Sequence, residues 1–307
     1  MILHVMPTYQ CNLICPYCYL GTKRSNNKIM PIESLKEKLN ELKASLYIVD
    51  AVNIYGGEIT LLSREYLHDL IDVLQNVTEN ISVTSNLFNS KAWKTIEWIR
   101  KDYPKIHIAT SINDERPHNN ELIQKLLMQE KHDISLTYVV TPSLLKKPIQ
   151  EIFHEIEMIS SSVEFLRYSP SHLNPYWKES NKAYEDFLIR IINEYQKGIY
   201  NFYLHNIDDI RNCIDKTYNP YLDSNVFLNP DGKFCIVDYI DGKESFLAVS
   251  LTRLIKEAQE EKAFWQDRCY GCKYIDHCYA EHMKINAKGD SCCGCKKLLR
   301  FYEKNLY

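Results

Sequence analysis

The segment Cys11-Asn12-Leu13-Ile14-Cys15-Pro16-Tyr17-Cys18 sets three thiols at C-x3-C-x2-C spacing directly after a β-rich run. Three thiolates on one short loop can converge on a single soft-metal centre. A structural zinc takes four ligands, and the local sequence holds no fourth. On a four-iron cluster, three thiolates leave one iron open for a substrate or cofactor. A zinc loop that borrows a distant ligand, and a set of inert buried thiols, remain open at this point. Farther along, Tyr55-Gly56-Gly57-Glu58 ends a second β-rich run. Two glycines admit close backbone approach to a ligand, and a glutamate accepts from an ammonium group. A third group lies near the C-terminus: Cys269-x2-Cys272-x5-Cys278, then Cys292, Cys293 and Cys295, with Cys213 and Cys235 upstream. A zinc ribbon is the plain structural alternative for these.

The chain has 307 residues, eleven cysteines and only nine glycines. An odd count excludes a fully paired set of internal disulfides. A net charge of −3 argues against wrapping nucleic acid or binding an anionic membrane. Met1 to Gln10 show no basic, apolar and small-residue sequence of a secretory signal. No run reaches the roughly 18 apolar residues of a membrane span. The expectation is a cytoplasmic protein with no nucleic-acid or membrane partner, whose thiols bind metal or catalyse.

Elements must hold these residues in place. β-rich runs recur at Ile2–Met6, Val52–Tyr55, Ile81–Thr84, Ile106–Ile112, Ile134–Val140 and Val163–Tyr168. Between them, apolar residues take helical spacing, as in Leu67, Leu70, Ile71 and Leu74, or Ile149, Ile152, Phe153 and Ile156. Strands alternating with helices imply a parallel sheet, and six such units fall short of an eightfold barrel. The expected fold is α/β: a partial (β/α)6 TIM-like barrel over 1–204, followed by a small Cys-rich α+β domain over 205–307. The first helix is expected to start near Pro31. In such sheets chemistry sits at the C-terminal strand ends, where the cysteine loop lies. In the second part, Val226–Leu228, Asn229-Pro230-Asp231-Gly232 and Phe234–Val237 read as a β-hairpin, with a helix near Leu251–Phe264.

Together these features resemble the radical S-adenosylmethionine superfamily. Cys11, Cys15 and Cys18 match its signature, with Tyr17 at the aromatic position, and Gly56, Gly57 and Glu58 match its Gly-Gly-Glu element. The resemblance implies a [4Fe–4S] cluster whose open iron binds the methionine part of S-adenosylmethionine. It implies that Glu58 accepts from the methionine ammonium and that Tyr17 lies near the adenine. Asn86, in Thr84-Ser85-Asn86, and Ser111 and Asn113 become ribose or carboxylate contacts. Two departures stand out: Ile59 replaces the usual Pro, and Asn113-Asp114 replaces the usual Asp-Gly. The second part resembles the SPASM and shorter twitch extensions, which bind auxiliary iron–sulfur clusters. Cys213, Gly232, Cys235, Cys269, Cys272 and Cys278 match their order, but His282 stands where a cysteine is usual. One or two auxiliary clusters are implied. The preferred division puts Cys269, Cys272, Cys278 and Cys295 on one, and Cys213 and Cys235 on another completed by His282, Cys292 or Cys293. One thiol can instead be free to give a hydrogen atom to a substrate radical.

The implied activity is reductive cleavage of S-adenosylmethionine to a 5′-deoxyadenosyl radical that abstracts hydrogen from a substrate carbon. An external one-electron reductant of flavodoxin or ferredoxin type must supply the electron. Relatives with a SPASM module modify ribosomally synthesised peptides by crosslinking, thioether formation or epimerisation, and this reading is placed first. Short twitch-like relatives include dehydrogenases and epimerases of aminoglycoside-type sugars. Because the chain starts on strand one, a leader-peptide-binding function is expected in a separate protein. Arg167, near the end of the sixth strand, and His172, after it, are substrate-contact candidates. His4 and His107, inside strands, are read as packing. The reading from another class is a non-enzymatic zinc or iron–sulfur redox sensor or adaptor.

Overall fold

Six strands run parallel in chain order: β1 (Ile2–Val5), β2 (Ala51–Ile54), β3 (Ile81–Ser85), β4 (His107–Ser111), β5 (Ile134–Val140) and β6 (Ser162–Arg167). They match the expected runs to within a residue or two. The computed structural model describes residues 1–18, 20–113, 115–116, 128, 134–167, 181–215, 225–236, 247–279, 292 and 294–306. The helices between the strands are α1 (Ile32–Ala44), α2 (Arg64–Gln75), α3 (Ser90–Asp102), α4 (Pro142–Lys146), α5 (Ile149–Ile159) and α6 (Asn181–Tyr195). Pro31 is the N-cap of α1, as its fixed φ favours. Ser63, Asn89 and Thr141 cap α2, α3 and α4 by accepting from Tyr66, Ala92 and Leu144 N–H groups. The buried stripe of α2 is Leu67, Leu70, Ile71 and Leu74, and that of α5 is Ile149, Ile152, Phe153, Ile156 and Ile159.

The two faces of the sheet differ in chemistry. Leu3, Val5, Val52, Ile54, Val83, Ile108, Leu136, Val163 and Phe165 are buried. The alternate positions His4, Asn53, Ser82, Thr84, Thr137 and Glu164 are only half-buried. A parallel sheet covered on both faces reads as continuous apolar runs, so this alternation marks a face that lines a polar lumen. Across it His4 Nε2 lies 2.9 Å from Asn225 Oδ1, His4 Nδ1 3.4 Å from Asn53 Nδ2, and Ser82 Oγ 3.3 Å from Asn53 Oδ1. His4 also stacks on Phe227 at 4.6 Å. His107, at the other end of β4, bonds Ser135 at 2.7 Å.

Sequence rhythm changes near residue 200, but the sheet does not stop there. A short strand β7 (Tyr203–Leu204) adds to β6, and α7 (His205–Ile214) follows. The expected hairpin is β8 (Asn225–Leu228) and β9 (Phe234–Ile236), with β10 (Leu247–Ala248) beyond it. Asn229 Oδ1 accepts from the N–H groups of Asp231 and Lys233, and Gly232 takes φ +67° where a Cβ would lie 2.4 Å from Ser34 Cβ. Strand β8 then pairs parallel with β1, Val5 opposite Leu228, giving the order β10-β9-β8-β1-β2-β3-β4-β5-β6-β7. The hairpin therefore continues the barrel sheet on the β1 edge. Among the described residues, the helices beyond it are α8 (Leu251–Arg268) and α9 (Lys296–Leu306). Glu185 of α6 accepts from Leu298 N–H at 2.8 Å. Asn206 of α7 bonds both Phe165 backbone groups and the Tyr279 hydroxyl. Among the described residues no helix is long and apolar enough to cross a membrane.

Leu3 is fully buried on β1, between β2 and β8. Leu3→Ala is expected to lower unfolding free energy by about 2–5 kcal/mol in denaturant titration, through lost burial and a residual cavity.

Candidate active site

The cysteine loop leaves β1 and is clamped on both sides. On one side Met30 N–H donates to Pro7 O at 2.8 Å, Thr8 Oγ1 to Lys28 O at 2.9 Å, and Cys11 N–H to Arg24 O at 3.0 Å. On the other, the end of β2 reaches across. Tyr55 N–H donates to Val5 O at 3.0 Å, Gly57 N–H to Thr8 O at 3.0 Å, and Glu58 N–H to Gln10 O at 2.7 Å. The two glycines explain that approach. Gly56 has φ +132° and a Cβ there would lie 2.3 Å from Met6 Cγ; one at Gly57 would lie 2.1 Å from Gln10 O. Close approach to a ligand was the expectation; in the structure the glycines admit the chain's own residues 6–10.

Glu58 is fully buried and knits three segments. Oε1 accepts from Thr60 N–H at 3.1 Å, Thr60 Oγ1 at 2.7 Å and Ser85 Oγ at 2.8 Å; Oε2 accepts from Asn86 N–H at 2.7 Å. Asn86 passes the connection on. Its amide donates to Asn12 Oδ1 at 2.8 Å and approaches Cys11 Sγ at 3.9 Å. Leu87, at φ +49°, sits in the left-handed region just after it. Such backbone strain persists where surrounding bonds over-determine it. Thus Glu58 and Asn86, expected as cofactor contacts, also fix the loop to the ends of β2 and β3.

Leu13 N–H donates to Cys11 Sγ at 3.4 Å. Leu20 N–H lowers the Cys18 thiol, and Tyr17 and Arg116 lower that of Cys15, each against the larger effect of burial. Burial pushes all three thiols up, Cys18 to about 11, with the neighbouring sulfurs adding to the rise at Cys11 and Cys18. Bare sulfurs here are therefore neutral, and a cationic metal group is what ionises them. Among the described residues no three His, Cys, Asp or Glu side chains stand close enough to share one metal ion. The fit to a metal group rests on the donor set: three thiols on one clamped loop at a strand end, the ligand type of iron–sulfur clusters.

The remaining expected contacts separate. Ser111 ends β4 on the half-buried face. Asn113 is buried, and its amide serves the turn: Nδ2 donates to Val139 O at 2.7 Å and Oδ1 accepts from Glu115 N–H at 2.8 Å. Tyr17 is buried. Arg167 closes β6 opposite Val140. His172, His282 and Cys293 lie outside the described residues. Arg116 was missed by sequence reasoning because it sits in an irregular turn with no spacing signal.

Burial pushes Cys278 well up; Cys295 N–H donates to its sulfur at 3.3 Å, while Cys292, Cys213 and Cys272 lie within electrostatic reach. Cys213 is buried on α7. Cys269 ends α8, with its N–H on Trp265 O and its carbonyl accepting from Cys272 N–H. Cys235, on β9, belongs to a small buried cluster with Met6, Tyr9 and Leu20, against which Cys18, Tyr55 and Phe227 pack.

A partial parallel barrel with a three-thiol loop at its C-terminal strand ends defines a class of iron–sulfur enzymes. A profile of the Radical SAM superfamily matches residues 5–215, more than half of the sequence, and the chain belongs to that family. Its members use a [4Fe–4S] cluster and S-adenosylmethionine. No curated protein matches the chain. Among solved structures, polyhistidine-tagged anSMEcpe with bound AdoMet superposes with a TM-score of 0.69 at 16% identity, covering 99% of this chain and 96% of that one. Native anSMEcpe with bound AdoMet and Cp18Cys peptide gives 0.68 at 15% identity, with the same coverage. Streptococcus suis SuiB bound to precursor peptide SuiA gives 0.64 at 15% identity, over 93% of this chain and 72% of that one. The shared fold includes the Cys-rich C-terminal region.

Gly57→Ala is expected to displace residues 9–10 and with them Cys11. Iron content after anaerobic reconstitution should fall by about four per chain, while the far-ultraviolet circular dichroism stays close to that of the unaltered protein.

Proposed function

We propose that this radical S-adenosylmethionine enzyme modifies a ribosomally synthesised peptide. The observation that carries the radical chemistry is the clamping of the loop that bears Cys11, Cys15 and Cys18 at the end of β1, against Gly57 and Glu58. When bound, the cluster and S-adenosylmethionine supply one electron and a 5′-deoxyadenosyl radical that takes hydrogen from a substrate carbon. The chain's own residues orient and enclose. Oε2 of Glu58, which accepts from Asn86 N–H, has a second lone pair that suits the methionine ammonium. Asn86 holds the loop at its working distance from β3, and Ser111 offers a hydroxyl from β4. Arg167 and His172 are proposed to meet the substrate.

The peptide reading is supported by the peptides bound to anSMEcpe and SuiB, which share this fold. Within it, epimerisation is favoured by Cys235. Its position opposite Phe227 on the hairpin supports proposing it as the thiol that gives a hydrogen atom to a substrate radical. Cys213, Cys272, Cys278 and Cys292, with Cys269 and Cys295 beside them, are proposed to hold auxiliary iron–sulfur. Cys293 and His282 remain candidates there. A flavodoxin- or ferredoxin-type reductant and a separate leader-peptide-binding protein are the proposed partners. The second reading, oxidation or epimerisation of an aminoglycoside-type sugar, draws on one observation: the polar lumen of His4, Asn53, Ser82 and Thr137 suits a hydroxyl-rich substrate.

Under anaerobic reduction the protein should form 5′-deoxyadenosine, and Cys11→Ala, Cys15→Ala and Cys18→Ala should abolish it. Formation that survives in all three variants would refute the assignment. Stimulation by a short peptide encoded beside the gene supports the first substrate reading, and stimulation by an aminocyclitol sugar the second. Iron counting tests the grouping of thiols. Cys278→Ala should lose about four irons per chain, whereas Cys235→Ser should keep the full complement. Equal losses in both would contradict the separation of Cys235.

A further inference from the structure

We propose that the strap of residues 23–29, beside the cysteine loop, is the surface on which an acidic one-electron carrier protein docks. The inference rests on reading that loop as the cluster site, and it gives the reductant's place and charge. Up to residue 32 the sequence holds Lys23, Arg24 and Lys28 and no aspartate or glutamate, in a chain of net charge −3. The fold lays this cationic segment along the loop. Ile29 pairs antiparallel with Thr8, Met30 N–H donates to Pro7 O at 2.8 Å, and Cys11 N–H donates to Arg24 O at 3.0 Å. A single backbone hydrogen bond thus joins the strap to Cys11. The Gly57 and Glu58 end of β2 holds residues 8 and 10 from the other side, so a partner on the strap leaves that end clear.

The fold does not neutralise the strap. Lys28 pairs with Asp231 of the β8–β9 turn, whereas Lys23 and Arg24 form no ion pair among the described residues. The 3-10 turn Gly21–Ser25 places Lys23 over the Tyr9 ring, with Nζ 5.3 Å from its centroid. Two large apolar side chains are exposed on the same two segments: Ile14, 65% exposed on the cysteine loop, and Ile29, 43% exposed on the strap. Apolar contacts together with unpaired cations suit a partner whose docking face is acidic at its rim. Opposite charge speeds encounter at low salt and loses effect as salt screens it. In the step that follows docking no bond forms or breaks: the carrier is oxidised by one electron and the cluster is reduced by one.

The test uses flavodoxin, an acidic flavin carrier, as the probe. Its binding to the full chain is measured by isothermal titration calorimetry at low ionic strength. The dissociation constant should rise about tenfold in Lys23→Glu, and about tenfold when ionic strength goes from about 0.02 M to about 0.5 M. Lys23→Arg, which keeps the charge, should stay within about twofold of the unaltered protein. With reduced flavodoxin as the electron source, Lys23→Glu should form 5′-deoxyadenosine about tenfold more slowly; with dithionite it should match the unaltered protein. An affinity unchanged in Lys23→Glu or by salt, or no binding to the unaltered protein at low salt, overturns the proposal. So does slower formation in Lys23→Glu with dithionite and the short peptide encoded beside the gene, at unchanged flavodoxin affinity, which would make the strap a peptide surface. If Lys23→Glu does not fold, Lys23→Gln, with a rise of about threefold expected, and the salt series on the unaltered protein decide. No 5′-deoxyadenosine from the unaltered protein with dithionite would instead overturn the cluster reading on which the proposal rests.

Discussion

Everything at the active end depends on two backbone hydrogen bonds, from Gly57 N–H to Thr8 O and from Glu58 N–H to Gln10 O. They draw the end of β2 against the chain that leads into Cys11, at a distance no side chain at position 57 permits. The Glu58 carboxylate then turns inward and collects donors from Thr60, Ser85 and Asn86. A buried carboxylate is tolerated because each oxygen is met by a donor. Asn86 carries the connection back to Asn12, beside Cys11. The loop's position is thus over-determined, as a metal group bound by three thiols requires.

The second constraint is the pairing of β8 with β1. It makes the C-terminal hairpin part of the barrel sheet, so Phe227 stacks on His4 and Cys235 joins Met6, Tyr9 and Leu20 in one buried cluster. Cys213, Cys272, Cys292 and Cys295 lie within reach of Cys278. One sheet therefore links the two ends of the chain.

The legible parts of the sequence were those governed by local physics. The runs from Ile2 to Val163 read as strands because period-two apolar alternation is a local property. Pro31 marked a helix start because its φ is fixed. The Cys11–Cys18 spacing and Gly56-Gly57-Glu58 stood out because ligand number and absent side chains are visible in residue types. The pairing of Val5 with Leu228 was not legible, since it joins segments far apart in sequence through backbone groups common to all residues. For the same reason the sequence does not show that Cys213 lies within electrostatic reach of Cys278, or that Cys235 is buried with Met6, Tyr9 and Leu20. Arg116 gave no signal because it sits in an irregular turn, held by Asn113.

The central claim is that the clamped loop holds a four-iron cluster with one iron free of cysteine. Mössbauer spectroscopy of protein reconstituted with 57Fe, before and after adding S-adenosylmethionine, tests it most directly. A single iron of one cluster should change its isomer shift when S-adenosylmethionine binds, and the others should hold theirs. A spectrum indifferent to S-adenosylmethionine, or a protein that takes up zinc and no iron, would contradict the account.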